Sequence, residues 1–446
     1  MQLLNKYNVP VPRYTSYPTV PHWQDEIPAN EDYLQRLNAS LQADGNLSLY
    51  IHLPYCEQLC TYCGCNKRIT KNHAVERPYL DSILKEWELY RSQITTDVQL
   101  RELHFGGGTP TFFSAENLDY LLKNLFKTIK KADKVAFSFE AHPATTTTTH
   151  LLTLRQHGFD RISIGVQDFA KSIMELINRR QSVLDVIRVT KAAKALGYSI
   201  NYDLIYGLPK QKLAHIKENF RRVAALRPDR IAFYSYAHVP NFSPSQRAYS
   251  VEDLPQGKEK QALQDLGEQL LLDLGYKNIG LDHFALSTDA LYQAQRAGKL
   301  HRNFMGYTPC QTRVSIGLGT SAISDTQTAY VQNVKRVEAY QDIIEKGQLP
   351  FFRGHLLSKD EQIIRHHITQ LMCNFKTDWM DEEMRSDTFY AAFDRLDELE
   401  KDGLIERRPF ELRVTELGKP FIRNICAALD PLYNNESLAN TFSRAV

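Results

Sequence analysis

The sequence predicts an α/β protein built around a full or partial barrel of alternating strands and helices, preceded by an arm and followed by a small helical domain. Three observations predict this fold class. Short apolar runs alternate with segments of helical period from Leu47 onward. Prolines punctuate the chain before this region, and helical patterns dominate after about residue 355. Strands that alternate with helices form crossover units and therefore a parallel sheet.

The arm, residues 1–45, has prolines at 10, 12, 18, 21 and 28, which favour extended or turning backbone. A helix is predicted at 31–43. The start of the chain shows neither the apolar stretch nor the small-residue cleavage site of a secretory signal. We therefore expect a cytoplasmic protein.

The central region, residues 46–350, is predicted to hold the catalytic barrel. Its candidate strands are 47–53, 103–106, 135–140, 161–166, 200–205, 230–236 and a less regular one at 278–284. Amphipathic helices are predicted between most of them, at 77–95, 115–130, 183–197, 212–225 and 259–274. Six or seven such units favour a barrel over a short doubly wound sheet, and in barrels the chemistry lies at the carboxyl ends of the strands.

The C-terminal region, residues 355–446, is predicted to be a separate helical domain. The segments HLLSKDEQIIRHHITQLMCNF and TFYAAFDRLDELEKDGLIERR have a helical pattern. The following FELRVTELGKPFIRNICAALD indicates a short hairpin that leads into a helix.

Composition excludes several classes of protein. The 446 residues include 54 lysines and arginines and 52 aspartates and glutamates, for a formal net charge of +2. This balance argues against nucleic acid as the main partner, because phosphate binding needs a clustered excess of cations. No apolar run approaches the roughly 18 residues of a membrane span, so no membrane partner is expected. Collagen-like, disordered and disulfide-scaffold classes are excluded as well.

Four of the seven cysteines lie within ten residues, at Cys56, Cys60, Cys63 and Cys65. In a large chain such bunching points to a metal or a cluster rather than to disulfides. Three thiolates spaced as Cys56-x3-Cys60-x2-Cys63 suit three irons of a [4Fe–4S] cube and leave the fourth iron for a ligand. Structural zinc is the alternative, with Cys65 as its fourth ligand, although zinc favours two separated cysteine pairs.

A glycine run, Gly106-Gly107-Gly108, closes the second predicted strand. Glycine has no Cβ, so backbone can approach a ligand closely there. Together with the cysteine spacing on a loop after the first strand, this run resembles the radical S-adenosylmethionine superfamily. The resemblance implies a partial barrel of the radical SAM type, a [4Fe–4S] cluster and S-adenosylmethionine, whose reductive cleavage gives a 5′-deoxyadenosyl radical.

Further motifs sharpen the resemblance. In order they are YNVPVPRYTSYPT, YCGCNK, GVQDF, NRRQ, YDLIYGLP, YAHVP, HRNF and GLGTSAIS, and they span nearly the whole chain. Together they resemble the oxygen-independent coproporphyrinogen III oxidases of haem biosynthesis. The resemblance implies anaerobic oxidative decarboxylation of two propionates of coproporphyrinogen III to vinyl groups, which gives protoporphyrinogen IX.

The resemblance also implies site residues and partners. Cluster ligands would be Cys56, Cys60 and Cys63. A first S-adenosylmethionine would contact Tyr50, Tyr62, Gly106, Glu140 and Ile323. A second would contact Gly107, Gly108, Gln167, Arg179, Asp203 and Ala237. We expect a monomer that is reduced by a low-potential electron donor such as flavodoxin or ferredoxin.

The expected catalytic set is Cys65, Phe304 and Met305. The family has Phe-Gln after His-Arg-Asn, whereas this chain has Phe304-Met305. A second departure is His142, because the family usually has an acidic or amide residue before this proline. Cys65 is read either as a group near the substrate or as a small filler beside the cluster. Arg13, Lys67 and Arg302 are candidate cations for the substrate propionates.

Two other functions are alternatives: a related radical enzyme that opens the haem ring during haem uptake, and a haem-binding chaperone with the same barrel. Chaperone-like relatives usually lack Cys65, the NRRQ-type match and the long arm. This chain has all three.

Overall fold

The structure, a computed structural model, describes residues 2–23, 28, 30–241, 243–433 and 442. Its strands are β1 (Asn46–Leu53), β2 (Tyr55–Cys56), β3 (Arg68–Ile69), β4 (Gln99–Gly107), β5 (Lys130–Ala141), β6 (Phe159–Gln167), β7 (Ser199–Tyr206), β8 (Arg230–Ser235), β9 (Lys277–Gly280), β10 (His283–Ala285), β11 (His301–Asn303), β12 (Gly306–Thr308), β13 (Val314–Leu318), β14 (Ile323–Asp325), β15 (Ala329–Asn333), β16 (Phe351–Leu356), β17 (Lys376–Asp378), β18 (Ile405–Arg408) and β19 (Glu411–Val414).

Its helices are α1 (Gln2–Tyr7), α2 (Asn30–Asp44), α3 (Glu76–Gln93), α4 (Ala115–Leu125), α5 (Thr148–Gln156), α6 (Lys171–Leu176), α7 (Val183–Ala195), α8 (Leu213–Leu226), α9 (Gly257–Asp273), α10 (Ala290–Arg296), α11 (Val337–Glu345), α12 (Lys359–Asn374), α13 (Asp387–Ala391), α14 (Phe393–Lys401) and α15 (Ile422–Leu429). Several begin at a side-chain cap: Ser182 and Asp185 form a capping box on α7, and Ser358 and Glu361 form one on α12.

A twelve-stranded sheet forms the centre, in the order β16-β15-β14-β13-β1-β4-β5-β6-β7-β8-β10-β9. The strands from β13 through β8 are parallel. The strands at the two edges, β9 and β10 on one side and β14 to β16 on the other, pair antiparallel with their neighbours. The parallel strands are buried almost continuously, as in β1, because helices cover one face and the barrel interior the other. This open sheet is the partial barrel that the sequence predicted.

Two element predictions were wrong. The strand predicted at 278–284 is two short antiparallel strands, β9 and β10, because the backbone turns at Gly280 and Leu281, both with positive φ. The helix predicted over TFYAAFDRLDELEKDGLIERR stops at Lys401, where Gly403 adopts a φ of +73°. Its last residues form β18, which makes the C-terminal hairpin with β19.

The arm packs against the C-terminal region. The buried side chains of Tyr7, Val11, Tyr14 and Tyr17 lie in one hydrophobic cluster with residues of α12, α14 and α15. The arm also begins with a helix, α1, which lies before the first proline and was not predicted. In the part of the chain that is described, no helix is both long and apolar enough to cross a membrane.

Candidate active site

The cysteine loop follows β1, and its contacts hold two of its four thiols and the backbone at a third cysteine. Cys56 lies in β2, which pairs with β3, and its sulfur is 3.2 Å from Thr109 Oγ1. Arg179 Nη1 donates to the Cys60 sulfur over 3.6 Å. Lys67 Nζ donates to the carbonyl of Cys63 over 2.9 Å. All seven cysteines of the chain are free thiols.

Cys65 differs from its three neighbours in exposure and in its effect on them. It is exposed, while Cys56 and Cys60 are buried. A hydrogen bond from the Cys65 thiol, helped by nearby Lys67, lowers the pKa of Cys63 to about 6. The same contact raises the pKa of Cys65. The thiolate is the form of cysteine that ligates iron, and the Cys63 and Cys65 side chains adjoin each other on this loop.

A first group of predicted residues meets at the carboxyl ends of β1, β4 and β5. Glu140 Oε2 accepts from the backbone N–H of Gly107 over 3.2 Å, and Glu140 Oε1 lies 3.6 Å from His104 Nε2. Tyr50 stacks on His104 with ring centroids 6.0 Å apart. A Cβ on Gly106 would lie 2.9 Å from the Tyr50 ring. Tyr50, Gly106 and Glu140, all assigned to one S-adenosylmethionine, are thus neighbours.

Close packing also explains why glycine stands at the other two positions of the run, which the sequence did not show. A Cβ on Gly107 would lie 2.8 Å from the His52 ring, and one on Gly108 would lie 2.4 Å from the carbonyl oxygen of Pro54. Gly108 also donates its N–H to Leu53 O over 2.9 Å. These glycines therefore hold β4 against the segment that leads into the cysteine loop, in addition to any approach to a ligand.

A second group lies at the ends of β6 and β7. Arg179 is buried, donates to Tyr62 OH over 3.2 Å, and donates to the carbonyl of Gly165. A Cβ on Gly165 would lie 2.9 Å from both Arg179 Nη2 and Gln167 Nε2, so these two side chains adjoin. Gln167 takes a φ of +66° at the strand end. Arg179 links this group to the cysteine loop.

Asp203 in β7 faces the first group across the sheet end. Its carboxylate accepts from Ser163 Oγ over 3.0 Å and from Asn201 Nδ2 over 2.8 Å. Burial, and then the nearby Glu140 carboxylate, raise the pKa of Asp203 to about 6. Two carboxylates and one guanidinium at adjoining strand ends provide partners for the ammonium and carboxylate groups of an amino acid.

The other predicted residues make their contacts with different side chains. Phe304 and Ile323 pack in a small cluster around Trp23 and Tyr330, where Trp23 stacks on Tyr330 at 4.9 Å. Met305 is at the tip of the β11–β12 hairpin, and its N–H donates to Asn303 Oδ1. Ala237 is exposed, and its carbonyl accepts from Gln246.

Two histidines in the site were not assigned a role. His52 lies between Tyr50 and Gly107, accepts or donates at Tyr50 OH over 3.0 Å and at Asn66 O over 2.9 Å, and burial lowers its pKa to about 4. It could have been found, because it is two residues from Tyr50 on the same face of a strand. His142 also belongs here, since burial and then the Arg179 charge lower its pKa.

The candidate propionate cations are already engaged. Arg13 pairs with Asp282, and Arg302 donates to the carbonyls of Arg13 and Tyr14. Lys67 serves the cysteine loop through Cys63 O and Cys65 O.

The donor set fits an iron–sulfur cluster. Three free thiols lie on one short loop, with Arg179 and Lys67 contributing positive charge beside them. In a cubic cluster each cysteine binds a different iron, so three thiols suit three of its four irons.

Comparisons with known proteins identify the family. The Radical SAM superfamily profile matches residues 50–223. The oxygen-independent coproporphyrinogen III oxidase of Synechocystis is 37% identical, with 100% of this chain and 97% of that protein aligned. The Escherichia coli enzyme of the same name is 36% identical over 100% of this chain and 98% of its own length.

The structural comparison agrees. The solved structure of coproporphyrinogen III oxidase from Escherichia coli, described as a radical SAM enzyme, superposes with a TM-score of 0.91 at 35% identity and covers 97% of this chain and 99% of that one. A radical SAM family implies a cluster and S-adenosylmethionine rather than structural zinc, and the names favour the oxidase over the ring-opening and chaperone alternatives. The chain therefore belongs to the oxygen-independent coproporphyrinogen III oxidases of the radical SAM superfamily.

Proposed function

We propose specific roles for the residues of this chain in the reaction of its family, the oxygen-independent conversion of two propionates of coproporphyrinogen III to vinyl groups. Cys56, Cys60 and Cys63 hold the cluster, and Gly106 together with Tyr50 and Glu140 holds S-adenosylmethionine on it. When bound, cluster and S-adenosylmethionine together supply the radical that abstracts hydrogen from the propionate. The residues of the chain bind, orient and shield these groups.

We assign the first S-adenosylmethionine to Tyr50, Tyr62, Gly106, Glu140 and Ile323. Glu140 is the acceptor for its ammonium or ribose, because one carboxylate oxygen already faces the Gly107 N–H and the other faces His104. Ile323 begins β14, which pairs with β13, and β13 in turn pairs with β1, the strand that carries Tyr50.

A second S-adenosylmethionine is assigned to Gly107, Gly108, Gln167, Arg179, Asp203 and Ala237. The observation that carries this proposal is Arg179, which contacts Cys60 and Tyr62 on one side and adjoins Gln167 on the other. A buried guanidinium between two groups of ligand-type residues would hold a carboxylate. Asp203 would take the ammonium or a ribose hydroxyl.

The catalytic set is proposed to be Cys65, Phe304 and Met305. Cys65 is exposed on the loop that carries the proposed cluster ligands. Phe304, next to Met305 at the tip of the β11–β12 hairpin, packs with Val20 and Trp23 of the arm. We further propose a monomer of three parts, with an arm at 1–45, a catalytic barrel at 46–350 and a C-terminal domain at 355–446. It would act in the cytoplasm with a low-potential electron donor.

Equilibrium dialysis of the anaerobic holoenzyme with S-adenosylmethionine tests the two-site proposal. We expect two molecules per chain, one bound more weakly. Met305→Gln should tighten the binding of the weaker S-adenosylmethionine up to about tenfold, because a neutral hydrogen bond contributes roughly 0.5–1.5 kcal/mol. A stoichiometry of one at saturation, with normal formation of protoporphyrinogen, would show that a single site suffices.

A further inference from the structure

The outer face of the cysteine loop carries exposed apolar side chains that its packing does not use. Leu59 is 39% exposed, Ile69 is 39% exposed and Leu176 is 36% exposed. Ile69 is paired with Cys56 in the β2–β3 ladder, and Leu59 immediately precedes Cys60. Exposed apolar groups gathered at one place mark an interaction site more often than a random surface does.

This face is held rigid by hydrogen bonds between the loop and the turn after α6. Asn178 Nδ2 donates to Leu59 O over 2.8 Å, and Gln58 Nε2 donates to Asn178 Oδ1 over 3.0 Å. The N–H of Thr61 donates to Ile177 O over 3.0 Å. Leu59 and Leu176 are therefore presented from two segments that are fastened together. Such a preordered surface suits docking, because little conformational entropy is lost on binding.

Cations surround the apolar residues. Lys71 and Arg180 are exposed, and neither forms an ion pair with any residue that the structure describes. Lys335 and Arg336 are exposed next to Asn66, whose side chain donates to Lys335 O. Of the nearby carboxylates, Glu338 pairs with Arg68 and Glu175 with Lys171, while Glu57 of the loop lies 3.4 Å from His73 Nε2 and is outnumbered by these four cations. The face is therefore positive overall, although the chain as a whole is almost neutral.

We propose that this face, defined by Leu59, Ile69, Leu176, Lys71 and Arg180, is the docking surface for the electron donor, and that the donor is a small acidic redox protein. The inference rests on the proposed function, because the cluster must accept one electron from a reduced donor for each radical formed, and the donor is oxidised by one electron in that step. Opposite charges would steer the donor to the face. Leu59 and Ile69, adjacent to cluster ligands, would then bring its redox group close to the cluster.

The test is the rate of cluster reduction, followed as bleaching of the cluster's visible absorbance in the anaerobic holoenzyme. Flavodoxin, fully reduced and freed of its chemical reductant, is one donor, and dithionite is the other. The variants are Leu59→Glu and the double variant Lys71→Glu with Arg180→Glu. The control is Leu417→Glu, a side chain that is 53% exposed in the C-terminal region.

We expect flavodoxin to reduce both face variants at least about tenfold more slowly than the wild type, with dithionite rates unchanged and the control unaffected. The wild-type rate with flavodoxin should also fall as salt is raised, because screening weakens steering. The proposal would be overturned if flavodoxin reduced the cluster of the charge-reversed variant as fast as that of the wild-type enzyme. So would an equal slowing with both reductants, which would indicate damage to the cluster.

If Leu59→Glu fails to hold its cluster, the charge-reversed variant decides alone, since its two side chains are exposed and outside the loop. Turnover with dithionite tests the proposed function separately, so the failure of one does not imply the failure of the other.

Discussion

Cys65 is the residue whose role is most open to a direct test. Its side chain is exposed and adjoins Cys63, and we propose that it lies beside the cluster without ligating it. In Cys65→Ser the visible absorbance and iron content should be retained. The rate of protoporphyrinogen formation should fall at least about tenfold, which corresponds to an activation free energy raised by roughly 1.4 kcal/mol. Cys63→Ser is the matched control and should lose the cluster. A Cys65→Ser protein without iron would refute the assignment.

The buried carboxylate of Asp203 predicts that the binding of one S-adenosylmethionine depends on pH. Its carboxylate must be charged to hold an ammonium, and burial raises its pKa to about 6. Affinity for the weaker S-adenosylmethionine should therefore be full above pH 7 and fall by about tenfold for each unit below pH 6.

Asp203→Asn should abolish this pH dependence and weaken the binding of the same S-adenosylmethionine by roughly 1.5–3 kcal/mol. Asp265→Asn, at an exposed carboxylate of α9, is the control. Calorimetric titration at several pH values checks both. An unchanged pH profile in Asp203→Asn would assign the effect to another group.

At this scale the sequence predicted the residue types of the site better than their contacts. The cysteine spacing and the position of Glu140 at a strand end needed no structure. The contact of Arg179 with Cys60 joins residues 119 positions apart in the chain and depends on how β1 and the α6–α7 turn meet. The function of Gly107 and Gly108 in packing against His52 and Pro54 also required coordinates.

Among the elements, α3 is joined to the far edge of the parallel sheet by one buried carboxylate. Glu86 accepts from the N–H of Gly319 over 2.8 Å, from Tyr340 OH over 2.7 Å and from Asn333 Nδ2 over 2.7 Å. Tyr79 of the same helix donates to His52 O and accepts from the N–H of Thr320. This network fixes the turn after β13 against the end of β1, where the cysteine loop begins.

Glu86 makes the stability of the fold depend on pH. Burial raises its pKa from 4.5 to about 7, because desolvation outweighs its hydrogen bonds. The folded state therefore binds more protons than the unfolded state, so this contribution is favourable below about pH 4.5 and is lost as pH rises to about 7. The total is about 3 kcal/mol.

Glu86→Gln should remove this part of the pH dependence, while Glu88→Gln, exposed on the same helix, should not. Urea unfolding between pH 5 and 8 measures the difference. An identical slope in wild type and Glu86→Gln would contradict the assignment.

The sequence predicted six parallel strands, β1 and β4 to β8, and most of the helices between them, because these strands have six to twelve residues each. It missed β13 to β16, which have three to six residues each; β13 is parallel to β1, and β14 to β16 pair antiparallel with their neighbours. Length is the physical reason: a strand of three residues, such as β14, carries too little pattern to be distinguished from a turn.

On the scale of the whole molecule, the arm connects the C-terminal region to the barrel. The aromatic residues of the arm complete the C-terminal core. Two barrel residues hold the backbone of the arm, because Arg302 donates to the carbonyl of Arg13 and Tyr330 OH donates to the carbonyl of Tyr17. Trp23 then lies beside Phe304 with ring centroids 6.1 Å apart. The arm therefore reaches from the C-terminal core to the proposed catalytic residues.

Removal of residues 1–20 should leave the cluster formed but abolish turnover and lower the melting temperature of the C-terminal part, because each buried aromatic side chain contributes roughly 1.5–3 kcal/mol. Tyr14→Ala is a milder version, and Tyr390→Ala, at an exposed tyrosine, is its control. Calorimetry and the anaerobic assay are the measurements. Full activity and normal melting of the truncated protein would rule out this role of the arm.

The shared core of arm and C-terminal region has a consequence for how the protein is made. Tyr7, Val11, Tyr14 and Tyr17 leave the ribosome first, but their partners on α12 to α15 leave it last. At about 5–20 residues per second the intervening chain takes roughly 20–70 s to synthesise. During that interval the barrel strands already exist while the arm has no core to join, so four apolar side chains of the arm wait for partners that are synthesised last.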